Sequence, residues 1–287
     1  MGTALANFLG YYNVVIFILA ILTTISFQVL SNFANDLGDT LKGTDNDNRV
    51  GPQRTVQTGL ITIPQMKKAL LFNIIISLIL SVCLILESSK GMNLNLILTF
   101  LLFAILSILS AIGYTMGKKA YGYYGLGDLM VFVFFGVVSV FGSFTLFSKF
   151  FDIGCFLPAM TIGLLSVAVL NLNNLRDVQN DSDSGKKTLV VRIGVKNAKR
   201  YHIVLISLSF IAHVSYVIRI ISIGCFHGLD LFFILFSLLP FLFLFSHLYR
   251  VHKNQDSKKL DPELKIVAFS TFVCSMFTLF GTIFMNY

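Results

Sequence analysis

The 287-residue sequence has no tryptophan, only five prolines, and few charges: Asp, Glu, Lys and Arg together make up 13%. An ordinary soluble domain carries roughly twice that share. The shortage excludes a disordered chain, a nucleic-acid-binding module and a soluble enzyme, because too few polar side chains remain to cover a water-facing surface. The four cysteines, Cys83, Cys155, Cys225 and Cys274, stand apart, mostly in apolar runs, which argues against a close-spaced metal or redox pair. The five histidines, His202, His213, His227, His247 and His252, show no metal-type spacing. No basic segment precedes the first apolar run, so no cleavable signal peptide is expected.

What is abundant is apolar. Hydrophobic residues make up 55%, 29 of the 287 residues are phenylalanine, and the mean hydropathy is +0.80. Eight apolar runs fall at about Tyr12–Ala34, Ala69–Leu86, Leu94–Met116, Leu126–Phe147, Phe156–Leu175, Ile203–Ile221, Leu229–Tyr249 and Ile266–Met285. Each approaches the ~20 residues that cross a bilayer as a helix. Hydrocarbon leaves no partner for an unpaired backbone group, and the runs are continuous rather than alternating, so helices are expected and a β-barrel is not. The expectation is an all-α, multi-pass bundle forming one domain over residues 1–287, with polar loops at about 39–68, 117–125, 176–200 and 250–265. Those loops hold 19 of the 22 Lys and Arg, while the alternate loops hold only Lys90, Lys149 and Arg219. The positive-inside rule makes the 19-charge side cytoplasmic.

Half of the 14 acidic residues lie in two short stretches at that face: Asp36, Asp39, Asp45 and Asp47, then Asp177, Asp181 and Asp183. In the first, Asn32, Asn35, Asp36 and Asp39 fall at i, i+3, i+4 and i+7, one face of a helix. In the second, Asn173, Asp177 and Asp181 fall at i, i+4 and i+8, with Asn174 close to that face. Carboxylates near a membrane core are costly unless paired, hydrated or metal-bound. One such cluster alone reads as a solvated helix end. Two matched clusters suit a hard cation such as Mg²⁺, which takes one or two protein carboxylates and completes its shell with water and phosphate oxygens. Neighbouring Arg49, Arg54, Lys118, Lys119, Lys186 and Lys187 can take remaining phosphate charge.

At these residues the sequence resembles the UbiA superfamily of membrane prenyltransferases, and within it the 1,4-dihydroxy-2-naphthoate polyprenyltransferases of menaquinone synthesis. The stretches that carry the resemblance are SNFANDLGDTLKGTDNDNRVGPQRTVQTGLIT, AIGYTMGKKAYGYYGLGDLMVFVFFG and AVLNLNNLRDVQNDSDSGKKTLVVRIG. The first and third contain the superfamily's two aspartate-rich motifs. The run from Asp45 through Arg49, Gly51, Pro52 and Arg54, and the block from Tyr121 to Asp128, are more particular to the naphthoate branch. The family implies nine helices around a cavity open to lipid. This chain supplies eight, with GTALA standing at the end of a first helix that is largely missing. Ala120 is a second departure, where relatives often carry proline.

The resemblance implies Mg²⁺-dependent transfer of a polyprenyl group from polyprenyl diphosphate to 1,4-dihydroxy-2-naphthoate, with loss of CO₂, giving demethylmenaquinone. Asp36 and Asp39, with Asn32 or Asn35, would hold one Mg²⁺, and Asp177 and Asp181, with Asn173 or Asn174, would hold a second. Asp45, Arg49, Arg54, Tyr114, Lys118, Lys119, Tyr121, Arg176, Lys186 and Lys187 would contact diphosphate or acceptor. Asp128 could steer an acceptor hydroxyl, but a helix N-terminal charge is the safer reading. The carboxyl groups of the two clusters should then lie within roughly 10 Å. The implied setting is a bacterial inner membrane with the site on the cytoplasmic side, no nucleic acid and no obligate protein partner. Rival readings are a 4-hydroxybenzoate prenyltransferase and, from another class, a transporter with intramembrane acids.

Overall fold

In the computed structural model the described residues are 1–44, 50–51, 54–224, 226 and 228–283. Among them the regular structure is helical, and eight helices are long and apolar enough to cross a membrane. The chain divides into two compact units: Met1–Tyr12 with Asp128–Arg176 and Ile193–Tyr287, and Asn13–Gly127 with Asp177–Arg192.

The second unit carries both aspartate motifs. Its three long helices are α2 (Val14–Leu41), α3 (Ile63–Ser88) and α4 (Leu94–Gly113), following a short α1 (Gly2–Phe8) that belongs to the other unit. Local chemistry sets the starts. The Asn13 side chain accepts from the backbone N–H groups of Val15 and Ile16, that of Asn93 from Leu96, and Thr62 and Gln65 form a reciprocal capping box ahead of Pro64. Helix α2 packs against both α3 and α4. The seam is a stripe of Leu30, Ala34 and Leu37 closed by Met66, Leu70 and Ile108. Within it the Ser26 and Ser77 hydroxyls lie 2.7 Å apart, the polar contact that holds helices together where lipid supplies no hydrophobic drive. Large apolar side chains such as Ile25, Phe72 and Leu109 are exposed on the unit, as suits lipid-facing surface.

Several helices outrun the hydropathy windows. Helix α2 continues to Leu41, placing Asp36 and Asp39 on its last turns, and α3 starts at Ile63 rather than Ala69. Backbone hydrogen bonding continues where side-chain polarity changes, and the Thr62 cap moves the start outward. The expected 39–68 loop is therefore shorter, and 189–200, 250–253 and 260–265 are helical too.

The other unit holds α1, α5 (Gly127–Ser148), α6 (Phe156–Arg176), α8 from Ile193 on (Leu189–Ile223, broken at Gly194), α9 (Leu229–Phe236), α10 (Leu239–Lys253) and α11 (Leu260–Ile283); α7 (Val178–Asp183) and the start of α8 to Arg192 belong to the aspartate unit. Residues Phe132–Val138 of α5 are π-helical and pack on α6. Helix α1 is buried against the end of α5 and against α11, where the Asn7 amide donates to the Thr282 carbonyl. Histidines far apart in sequence meet here. The His202 and His247 Nε2 atoms lie 2.8 Å apart, and Glu263 takes His247 Nδ1 at 2.6 Å together with the Arg250 guanidinium. This chain of bonds ties α8, α10 and α11 together.

Candidate active site

The first motif sits where α2 ends. Asp36 pairs with the Arg54 guanidinium. Asp39, one helical turn on, is nearly sequestered at 5% exposure. Gly38 permits this by close approach: a Cβ there would stand 2.3 Å from Thr115 Oγ1 and 2.9 Å from the Thr115 carbonyl carbon. The Thr115 hydroxyl instead donates to the Ala34 carbonyl at 2.9 Å, pinning the segment after α4 to α2. Asn35 is partly buried and Asn32 exposed.

The second motif departs from expectation. Asn173, Asp177 and Asp181 do not share one continuous helix. Helix α6 ends at Arg176, Asp177 takes a non-helical conformation (φ −99°, ψ 12°) at the N-cap position, and α7 restarts at Val178. No glycine or proline marks this break, which is why periodicity missed it. Asn173 and Asn174 stay on α6 in the other unit, where Asn173 Oδ1 accepts from Arg176 Nη2 at 2.7 Å. Arg176 is buried and bound to Asp261 at 2.8 Å, so its charge is already committed to holding its own unit together. Asp177 Oδ1 accepts from the Gly51 backbone N–H at 3.2 Å.

Helix α7 stops at Gly185, whose left-handed φ of 72° turns the chain so that the Lys186 N–H donates to the Asp181 carbonyl at 2.8 Å. That turn brings the Lys186 ammonium between the motifs. Its Nζ lies 3.3 Å from Asp39 Oδ2 and 4.0 Å from Asp181 Oδ1. One ammonium thus lies within 4.0 Å of a carboxylate from each motif, well inside the separation expected from the sequence.

Tyr123 completes the cluster, and sequence reasoning passed over it in favour of Tyr114 and Tyr121. Its hydroxyl donates to Asp39 Oδ1 at 2.7 Å, and Thr44 Oγ1 lies 2.6 Å away, so the Thr44 hydroxyl donates to Tyr123. Lys42 Nζ stands 3.8 Å from the ring centroid. Asn180 Nδ2 donates to the Thr44 carbonyl at 2.8 Å, a second bond between the motifs. The loop carrying Tyr123 is fixed on both sides. Tyr121 bonds Ser110 of α4 and meets the Tyr114 ring edge-on, while the Lys187 N–H and the Arg192 guanidinium donate to the Tyr123 and Tyr124 carbonyls. The available signals were the three tyrosines of YGYYG and the Asn beside Asp181, but neither pattern separates a site residue from an interfacial one. Lys118, Lys119 and Lys187 are exposed. Asp45 and Arg49 lie outside the described residues.

Charge and burial oppose each other here. Burial works against the Lys186 ammonium, but Asp39, then Tyr114, Asp181 and Tyr123, outweigh it and raise its pKa above the ordinary lysine value. Burial first, then the Asp39 carboxylate, pushes the Tyr123 hydroxyl well above the usual tyrosine range, so it remains a donor at any working pH. Lys42 is lowered by partial burial and by Lys186, against the pull of Asp39. Among the described residues no three His, Cys, Asp or Glu side chains converge as a self-sufficient metal site.

Apolar helices of spanning length, with carboxylates of both motifs paired to cations at helix ends, define a multi-pass membrane protein. The UbiA prenyltransferase family model matches residues 1–281, across both units, and the chain belongs to that family. It is 45% identical over 206 residues to the 1,4-dihydroxy-2-naphthoate octaprenyltransferase of Escherichia coli (strain K12), covering 72% of this chain and 66% of that one. Against the Haemophilus influenzae protein of the same name it is 42% identical over 207 residues, covering 72% and 67%. The aligned stretch thus spans about two thirds of each relative. Among solved structures, a UbiA homolog from Archaeoglobus fulgidus bound to GPP and Mg²⁺ superposes with a TM-score of 0.63 at 13% identity, covering 98% of this chain and 93% of that one. A digeranylgeranylglyceryl phosphate synthase gives 0.59 at 16%, covering 99% and 92%. At such identities the likeness is one of fold.

Proposed function

We propose that the protein transfers a polyprenyl group from its diphosphate to 1,4-dihydroxy-2-naphthoate, with loss of the carboxyl group as CO₂, giving demethylmenaquinone on the cytoplasmic side of a bacterial inner membrane. The observation that carries the reading is the convergence of Asp39 and Asp181 on one buried ammonium. A cluster that holds both carboxylates and cations suits a ligand that arrives with its own negative charge and a counter-cation. The choice of acceptor is supported by the names of the relatives at 45% and 42% identity.

The donor set fits Mg²⁺. All of its candidate ligands are hard oxygens, two to a motif, and Mg²⁺ ordinarily relies on substrate phosphates for the rest of its shell. Asp36, Asp39, Asp177 and Asp181 would hold it; once bound, it supplies positive charge that stabilises the departing diphosphate. The chain's own groups do the remainder. Arg54 and Lys186 are placed to donate to diphosphate oxygens as negative charge develops there. Tyr123, itself held by Thr44, fixes the direction of Asp39. Exposed Lys118, Lys119 and Lys187 add positive charge around the polar end, which draws the anionic substrates. The Tyr114 and Tyr121 rings offer a face for the acceptor ring or for the allylic cation.

The test is an assay of purified protein with a polyprenyl diphosphate and Mg²⁺, offering either 1,4-dihydroxy-2-naphthoate or 4-hydroxybenzoate. A decarboxylated prenyl-naphthoquinol product supports the reading. Turnover of 4-hydroxybenzoate alone would move the protein to another branch of the family.

A further inference from the structure

We propose that Lys186 is the resident counter-cation of the Asp39–Asp181 pair, surrendering both carboxylates to the divalent cation only when a diphosphate arrives to receive its ammonium. Metal and prenyl diphosphate would then load together, and the empty enzyme would hold metal poorly. The inference rests on the metal-and-diphosphate reading of the site.

Three observations support it. First, the single ammonium faces both carboxylates and offsets one of their two charges, without being tightly seated on either. Its distances to Asp39 are 3.3 and 3.4 Å and to Asp181 4.0 Å, longer than the ~2.7–2.9 Å of a well-formed charged hydrogen bond. Asp39 is held instead by the 2.7 Å bond from Tyr123, so it keeps its place when the lysine moves. Second, the cluster contains an oxygen that Lys186 does not satisfy. Asn180 is 4% exposed, its Nδ2 faces the Thr44 carbonyl and cannot be exchanged with the oxygen, and its Oδ1 has no partner among the described residues. A buried acceptor left unpaired is costly unless another state of the site fills it. Third, the backbone and not the ammonium ties Lys186 to the second motif, its N–H donating to the Asp181 carbonyl at 2.8 Å, so the ammonium can turn away about its side-chain torsions while Asp39 and Asp181 keep their backbone places. Placing a dication beside a retained ammonium would set like charges within a few ångströms in a poorly solvated site, which disfavours metal while the lysine stays.

The experiment measures Mn²⁺ binding to purified protein by the loss of the free Mn²⁺ signal in electron paramagnetic resonance, with and without geranyl S-thiolodiphosphate, against protein-free controls. Wild type should bind Mn²⁺ weakly alone and at least about tenfold more tightly with the diphosphate analogue. Lys186→Met should bind Mn²⁺ about tenfold more tightly than wild type without the analogue, and gain little from adding it. Lys186→Arg should behave like wild type, and adding Asp39→Asn to Lys186→Met should abolish the gain. Lys186→Gln serves as a second neutral variant should Lys186→Met not fold. Unchanged or weaker Mn²⁺ binding in the folded neutral variant, with product formation still metal-dependent in wild type, overturns the role of Lys186 alone. Product formation that needs no divalent cation overturns the functional reading beneath it.

Discussion

Replacing Tyr123 by phenylalanine removes one oxygen and leaves the ring in place. The ring's contact with Lys42, 3.8 Å from its centroid, survives, so the change isolates the hydroxyl. That hydroxyl donates to Asp39 Oδ1 at 2.7 Å and receives the Thr44 hydroxyl at 2.6 Å. A bond to a charged, buried partner contributes about 1.5–3 kcal/mol, and the Thr44 hydroxyl can turn elsewhere, so about 2 kcal/mol should be lost. For a chain of this size that is a fall in melting temperature of about 4–8 °C. Thr44→Val, which removes only the outer neutral bond, should cost about half as much, and the double variant should fall short of the sum because the two bonds form one chain. Thermal unfolding in detergent measures the stability. Steady-state kinetics should show a lower kcat as well, since Asp39 loses its fixed direction. A Tyr123→Phe variant melting within about 1 °C of wild type with unchanged kcat would refute the argument that this bond positions Asp39.

Two further predictions bear on the motifs. Asp36→Ala and Asp177→Ala should each nearly abolish transfer while the protein stays folded in the membrane; near-normal turnover of either at saturating Mg²⁺ would contradict a two-motif site. Gly38→Ala should destabilise the protein by about 1–3 kcal/mol, because the new methyl meets Thr115 side-chain and backbone atoms within 2.9 Å; a melting temperature equal to wild type would show that α2 and the Thr115 segment separate freely.

Much of the architecture is legible in the sequence. Continuous apolar runs identify spanning helices because hydrocarbon leaves the backbone no other solution, and all eight expected runs correspond to spanning helices. The run of Asn32, Asn35, Asp36 and Asp39 was read correctly as helical because α2 continues unbroken through it. The second motif was harder. Helix α6 stops at Arg176 with no breaking residue, and Asp177 turns toward the Gly51 backbone, a contact 126 positions away in sequence. Arg176 looked like a phosphate ligand by its neighbours and is committed to Asp261, 85 positions on. Tyr123, Thr44 and Asn180 were passed over for the same reason. Their importance comes from bonds to residues distant in sequence, and no local spacing encodes such a partner.

The central claim is tested most directly by identifying the product by mass after purified protein is incubated with a polyprenyl diphosphate, Mg²⁺ and an equimolar mixture of 1,4-dihydroxy-2-naphthoate and 4-hydroxybenzoate. The account predicts one Mg²⁺-dependent product, the prenylated naphthoquinol lacking the carboxyl group, with release of one diphosphate per product. A prenylated 4-hydroxybenzoate as the main product, or no diphosphate release with either acceptor, would contradict it.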